Sequence, residues 1–209
     1  MYILMKYFTN LACTMNALEL LSEEIPPLTH TETGEKALRW MDEFKISHLP
    51  VIKNGNFVGI ISESDILDKL NLEDKLDILF DHLPRAYVFQ NTHIYEVLAK
   101  ISEHRLSVIP VLDQDEKYIG CISIQHLTTL IANTGSIKEN GGILVLEINS
   151  IDYSMAQIAQ IVESNNARIL SSYIMSPSDS TKLEITLKIN QVELASIIRT
   201  FERYDYKIK

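Results

Sequence analysis

The chain has 209 residues, 46% hydrophobic and 22% charged, with 7 Gly and 6 Pro. That is ordinary globular usage, room for one large domain or two small ones, and it argues against disorder and collagen-like or low-complexity tracts. Nineteen Lys+Arg against 28 Asp+Glu leave a formal charge of −9, with 13 acids and 6 bases in 15–80 but 8 and 7 in 141–209. This offers no basic patch for a phosphate backbone and excludes nucleic-acid binding from the expected functions.

From the N-terminus, Met1 to Thr14 has apolar clusters split by Lys6, without the uninterrupted apolar core of a signal peptide. We read 1–14 as a frayed extension, dispensable for stability, because a cleaner pattern opens at Met15. Cys13 and Cys121 stand far apart with no Cys or His at metal-ligand spacing, against a disulfide framework or a zinc site and in keeping with a reducing cytosol. The longest uncharged stretch, Tyr118 to Ile137, holds Ser123, Gln125, His126, Thr128, Thr129, Asn133 and Thr134, too polar for a membrane-spanning helix.

An internal repeat organises the first two thirds. His48-Leu49-Pro50-Val51-Ile52, a turn, and Phe57-Val58-Gly59-Ile60-Ile61-Ser62 return as Val108-Ile109-Pro110-Val111-Leu112, a turn, and Tyr118-Ile119-Gly120-Cys121-Ile122-Ser123. An amphipathic helix precedes each copy, with Ala37, Leu38, Met41 and Phe44 on one buried face and Ile94, Val97, Leu98 and Ile101 on the other. Trp40 belongs with that core face. A shorter helix follows each copy, near Asp65–Leu70 and Gln125–Ile131. Asn54-Gly55 between apolar runs predicts a tight hairpin, since both residues accept positive φ. One such unit buries little surface alone, and two stacking their sheets would bury more. The boundaries are 15–80 for the first repeat and 81–135 for the second.

After a polar stretch from Asn133 to Gly142, with 136–142 as linker, 143–209 reads differently. Ile143–Ile148 is a strand, Met155, Ile158, Ala159 and Val162 a helical face, and Ala167–Met175 extended. Leu183 to Ile189 alternates as a half-solvated strand, Val192, Leu194, Ala195, Ile198 and Phe201 form a second helical face, and Tyr206–Ile208 a last strand. The order is βαββαβ, one sheet with helices on one side.

The doubled helix–Pro-Val–turn–Gly-Ile unit, from Ile25 to about Ile131, resembles the CBS domain pair, or Bateman module; its Gly-hydrophobic-x-Ser/Thr-x-x-Asp motif stands here as Gly59-Ile60-Ile61-Ser62-Glu63-Ser64-Asp65. The tail resembles an ACT domain, and the whole layout the bacterial stand-alone CBS–ACT proteins, some called acetoin-utilisation-like. The resemblance implies an α+β protein: tandem CBS repeats, then a ferredoxin-like βαββαβ ACT domain.

It also implies an adenosine-type ligand. Ser62 Oγ and the N–H groups of the following helix would donate to phosphate or ribose oxygens, and Asp65 would accept from both ribose hydroxyls. Adenine would lie near Leu28, Thr29 and Pro50, and phosphate near His48, where ligand-binding members often have arginine. That exchange favours AMP over a triphosphate. A plainer reading makes Ser62 a helix cap and Asp65 its dipole partner. In the second copy Pro110 and Ser123 persist but His126 replaces the carboxylate, giving a weaker site. In the ACT-like turn Asn149 to Met155 the glycine of amino-acid-binding members is missing, and Asp152 or Ser154 is left to cap a helix.

Catalysis has little support. The six histidines show no metal-binding pair on one helix face, and Ser62, His48 and Asp65 lack a nucleophile elbow or oxyanion loop. The expectation is a non-catalytic, cytoplasmic sensor without cofactor or metal: a homodimer binding an adenosyl ligand, with no nucleic-acid or membrane partner. The alternative is a structural interaction module whose ligand sites have decayed. The four-stranded C-terminal sheet has two edge strands, which favours a dimer, and only Lys207 and Lys209 flank the final strand as edge protection.

Overall fold

A computed structural model describes residues 15–22, 24–134, 136–177 and 181–209; the expected extension 1–14 lies outside them. The chain forms two compact units, one through Thr128 and one from Thr129 to Lys209.

The first unit contains the repeat. Its first copy runs β1 (Leu28–Thr29), α1 (Gly34–Phe44), β2 (His48–Lys53), β3 (Asn56–Ser62) and α2 (Glu63–Lys69). The second runs β4 (Val88–Phe89), α3 (Ile94–His104), β5 (Val108–Leu112), β6 (Tyr118–Ser123) and α4 (Ile124–Asn133), the last crossing the unit boundary. Each copy is a three-stranded sheet, β1-β2-β3 and β4-β5-β6, with the short first strand parallel to the second and an antiparallel hairpin after it. Asn54 (φ 52°) and Gly55 (φ 80°) make the two-residue turn between Lys53 and Asn56, as their sequence requires.

Helices α1 and α3 start and stop alike. Thr33 Oγ1 accepts from Lys36 N–H and His93 Nδ1 from Tyr95 N–H, and Lys45 and Arg105 end the helices in the left-handed region. Ala37, Met41, Leu49, Val51, Ile61 and Ile66 form the first core, which takes in Val108 from the second copy, so the repeats share an interior.

Two kinds of element escape the periodicity: the short strands β1 and β4, and the 3-10 turns Ala17–Leu20 and Leu76–His82. These turns are exchanged. Ala17 N–H donates to Thr92 O and Ile94 N–H to Met15 O, while Leu76 N–H donates to Glu32 O and Gly34 N–H to Asp74 O. The segment leading into β1 therefore pairs with the start of α3 and the segment leading into β4 with the start of α1, and Leu76 and Leu79 lie in the first core.

The second unit comprises β7 (Gly142–Asn149), α5 (Met155–Ser164), β8 (Ile169–Met175), β9 (Lys182–Ile189), α6 (Ala195–Arg203) and β10 (Lys207–Ile208), the expected βαββαβ order. Its sheet runs β10-β7-β9-β8, antiparallel throughout. Leu144, Leu146, Ile185 and Leu187 pack from one face onto Ile158 and Val162 of α5 and Ile197 and Phe201 of α6. Glu147, Glu184 and their lysines occupy the other face. No helix among the described residues is long and apolar enough to cross a membrane.

Candidate functional site

The turn from β3 into α2 sets the site. Ser62, with extended backbone, is the N-cap of α2: its Oγ accepts from Asp65 N–H at 3.1 Å, and Asp65 Oδ2 accepts in return from Ser62 N–H at 3.1 Å. Ser62 Oγ also lies 2.5 Å from Asp65 Oδ2, and Lys69 Nζ 2.6 Å from Oδ1. This is a complete capping box closed by an i,i+4 ion pair. Burial works to raise the Asp65 carboxyl, but hydrogen bonds from Lys69 and Ser62 and the Lys69 charge hold it below the ordinary carboxylate value.

The N–H groups expected to await a phosphate are partly committed, since Glu63 N–H donates to Ser47 O and Asp65 N–H to Ser62 Oγ. The local physics of a helix start thus realises the capping reading, and a ligand at Asp65 would have to exchange bonds with Ser62 or Lys69.

His48, at the start of β2, joins the two repeats. Ser107 N–H donates to His48 Nδ1 at 3.2 Å, Ser47 N–H donates to Ser107 Oγ at 3.0 Å, and Ser107 Oγ lies 3.1 Å from the same Nδ1. A backbone N–H can only donate, so Nδ1 is an acceptor and the neutral ring carries its proton on Nε2. Burial pushes the half-buried imidazole below its ordinary pKa, with the Asp65 charge opposing.

His48, Ser62 and Asp65 line one cleft of about 170 Å³ with Ile60, Pro84, Ala86, His104 and Leu106. A more open depression of about 330 Å³ shares His48 and Ser62 and adds Ser47, Glu63, Ser64 and Leu67. The depression by itself falls within the range of about 300–1,000 Å³ that small ligands fill, and the cleft is smaller.

The other half of the expected site is elsewhere. Leu28 is fully buried in the first core, paired with Val51, and Pro50 is buried in β2. Thr29 N–H is bonded to Glu32 Oε2 at 2.7 Å, and its hydroxyl to Thr31 at 3.1 Å. None of the three is among the residues lining the cleft. Pro84 and Ala86 stand there because of the exchange: Pro84 O accepts from Ile60 N–H at 3.0 Å, which lays the segment entering the second copy along β3 of the first. Gly59 permits this approach, since a Cβ there would lie 2.6 Å from Leu83 Cβ and 3.1 Å from Pro84 O. The sequence signal for that wall is the motif glycine, which marks where another backbone comes close.

At the second copy Ser123 is buried and His126 N–H donates to its Oγ at 3.2 Å. The bond that Asp65 makes in the first copy is made here by Ser22, whose Oγ accepts from Ser123 N–H at 3.0 Å and lies 3.2 Å from Ser123 Oγ. Pro110 is buried within β5. Burial raises the neighbouring Cys121 thiol to about 11, leaving it an inert core residue.

In the second unit Ser154 caps α5, accepting from Gln157 N–H at 3.3 Å, while Asp152 accepts from Asn149 Nδ2 at 3.2 Å. Asp152 lines a cavity of about 310 Å³ with Glu147, Gln157, Lys182, Tyr206 and Lys207 among others. Lys182 and Lys207 both bond Glu147, at 2.7 and 3.0 Å, and hold its carboxyl down at about 2.

Comparison with known proteins bears on this architecture. The CBS domain model matches residues 17–72 and 81–133, more than half of the chain. Homoserine O-acetyltransferase of Methanococcus vannielii is 28% identical over 117 residues, 54% of this chain and 24% of that protein. An uncharacterized protein of Methanocaldococcus jannaschii is 22% identical over 152 residues, 72% of this chain and 56% of its own. The chain thus spans about a quarter of the length of the acetyltransferase it matches. Among solved structures, a CBS domain pair/ACT domain protein of Thermotoga maritima has the same fold over 57% of this chain and 98% of its own, with a TM-score of 0.50 and 24% identity. Two matched domains, folded as tandem copies around a shared interior, make this chain a member of the CBS domain family.

Proposed function

We propose that the chain is a non-catalytic regulatory sensor that binds an adenosine-type ligand, AMP-like before triphosphate, in the cleft of His48, Ser62 and Asp65. The observation that carries the reading is the convergence of the motif serine and aspartate with the imidazole and the Pro84–Ala86 wall in one cleft. Ser62 Oγ and Asp65 would exchange their mutual bond for ribose hydroxyls, and a neutral His48 with an Nε2–H would donate to a single phosphate. Its lack of charge disfavours three phosphates. Because residues from both copies line the cleft, ligand there would favour one arrangement of the pair, a population shift. The second unit, ACT-like in strand order, would relay it within a cytoplasmic homodimer, as in the CBS–ACT layout.

A ligand-free interaction module is the competing reading, favoured by Asp65 having its bonds satisfied internally and by Ser22 occupying Ser123. Thermal shift with AMP, ADP, ATP, S-adenosylmethionine and cyclic dinucleotides separates the two. A ligand binding only the folded state at 100 times its Kd adds about 2.7 kcal/mol. The sensor predicts a raised midpoint with an adenosyl compound, saturating at one ligand per chain in calorimetry; no shift with any of them favours the interaction module.

A further inference from the structure

The cleft of His48, Ser62 and Asp65 has two walls of unlike chemistry. The first copy supplies His48, Ile60, Ser62 and Asp65, and most of its polar groups are committed: Ser62 to Asp65, Asp65 to Lys69, and His48 Nδ1 to Ser107. Pro84, Ala86, His104 and Leu106 make the other wall, apolar apart from one imidazole. His104 is exposed and has no hydrogen bond or ion pair among the described residues. Both of its ring nitrogens are open to a ligand, whereas His48 keeps only Nε2 free.

The ring stands at the cleft because of how α3 ends. The helix stops at His104, and Arg105, in the left-handed region (φ 51°), turns the chain so that Leu106 lines the same cleft. Helix α1 ends the same way at Phe44 and Lys45, but Phe44 packs against the first core. The second copy thus carries a polar ring where the first carries an apolar one. The open depression shares His48 and Ser62 with the cleft and adds Ser47, Glu63 and Ser64, while His104 lines the cleft alone. A ligand with its phosphate at His48 and its ribose on Ser62 and Asp65 leaves its base for Ile60, Pro84, Ala86 and Leu106, beside His104.

We propose that His104 hydrogen-bonds the edge of the ligand's adenine and is the residue by which the second copy reads the base. Apolar walls discriminate weakly between rings of similar size, and a placed donor or acceptor discriminates well. A neutral imidazole offers one N–H and one lone pair, and adenine sets an amino donor beside a ring-nitrogen acceptor, so either tautomer finds a partner there. The bond runs from the second copy to a ligand held by the first, which makes it a polar link through which occupancy acts on both. The assignment rests on the adenosyl-ligand reading of the cleft and adds to it the group that recognises the base.

Calorimetry on the full chain with AMP and with adenosine tests it. His104→Ala should weaken both by the same factor, about fivefold, the size of one net hydrogen bond. His104→Gln keeps a donor and an acceptor and should stay within about twofold of the parent. The ligand-free melting midpoint should not move in either variant, because the side chain holds no bond in the fold. An AMP affinity unchanged in His104→Ala overturns the assignment and leaves the adenosyl reading standing. A loss with AMP that adenosine does not share also overturns it, by placing the ring on the phosphate. A parent chain that binds neither AMP nor adenosine overturns the adenosyl reading and this assignment with it.

Discussion

Asp65 serves the helix and the cleft with the same two oxygens. Its bonds to Ser62 close the capping box of α2 and its bond to Lys69 spans one turn, so removing it costs helix stability as well as a ligand contact. Asp65→Ala should lower stability by about 1 kcal/mol, the usual size of a lost cap, and should abolish adenosyl-ligand binding; His126→Ala should affect binding less. Urea titration and calorimetry on the same samples check both. Because the folded carboxyl is held below its unfolded value, its contribution is present above pH about 4 and is lost as pH falls through the lower folded value. The Asp65→Ala and parent curves should therefore converge in acid. His48 has the same sign for a different reason. Burial depresses its folded pKa, so its contribution is complete above pH about 6.5 and declines as pH falls through the folded value, when the proton must enter at the Nδ1 that accepts from Ser107. His48→Ala leaves a partly buried N–H without its acceptor and should cost about 1–3 kcal/mol. In His48→Asn the amide oxygen can stand in for Nδ1, restoring stability at neutral pH while removing the pH dependence in that window.

At the scale of elements, the cleft depends on two segments touching where Gly59 brings no side chain of its own. β3 approaches Leu83–Pro84 through Gly59, and the Ile60–Pro84 bond fixes their distance. Gly59→Val would drive a Cβ into Leu83 and should destabilise by roughly 1–3 kcal/mol, the range for overpacking. It should weaken ligand binding with Ser62, Asp65 and His48 all intact, a loss that calorimetry at matched folded fraction would detect. The Asn54-Gly55 hairpin is the contrasting case, with its turn geometry set by two residues and their neighbours in sequence.

For the whole molecule, the exchange of entry segments makes the repeats one cooperative object. Ala17 N–H bonds Thr92 O and Ile94 N–H bonds Met15 O across the copies, Leu76 N–H bonds Glu32 O and Gly34 N–H bonds Asp74 O where the segment leading into β4 meets the start of α1, and Val108 lies in the first core. A fragment of 15–74 would lose Leu76 and Leu79 from its core along with Val108. It should be unfolded by circular dichroism, whereas 15–134 should melt in a single transition; an independently folded 15–74 would refute the shared interior.

Much of this protein is local and therefore written in the sequence. The 60-residue repeat, the amphipathic faces of α1 and α3, the Asn-Gly turn and the βαββαβ order of the second unit all follow from periodicities of 3.6 and 2 and from backbone preferences at single residues. Ser62 and Asp65 of the motif likewise share one cleft with His48, which the β2–β3 hairpin sets beside Ser62. Contacts between residues distant in the chain were decided only by the tertiary structure. Nothing in the neighbourhood of Pro84 or Ala86 shows that they cross to β3, or in that of Ser22 that its hydroxyl takes the place of a missing carboxylate beside Ser123. Leu28 and Pro50 have the composition of a ligand wall and became core, because an apolar side chain goes to whichever buried surface the packing closes around it.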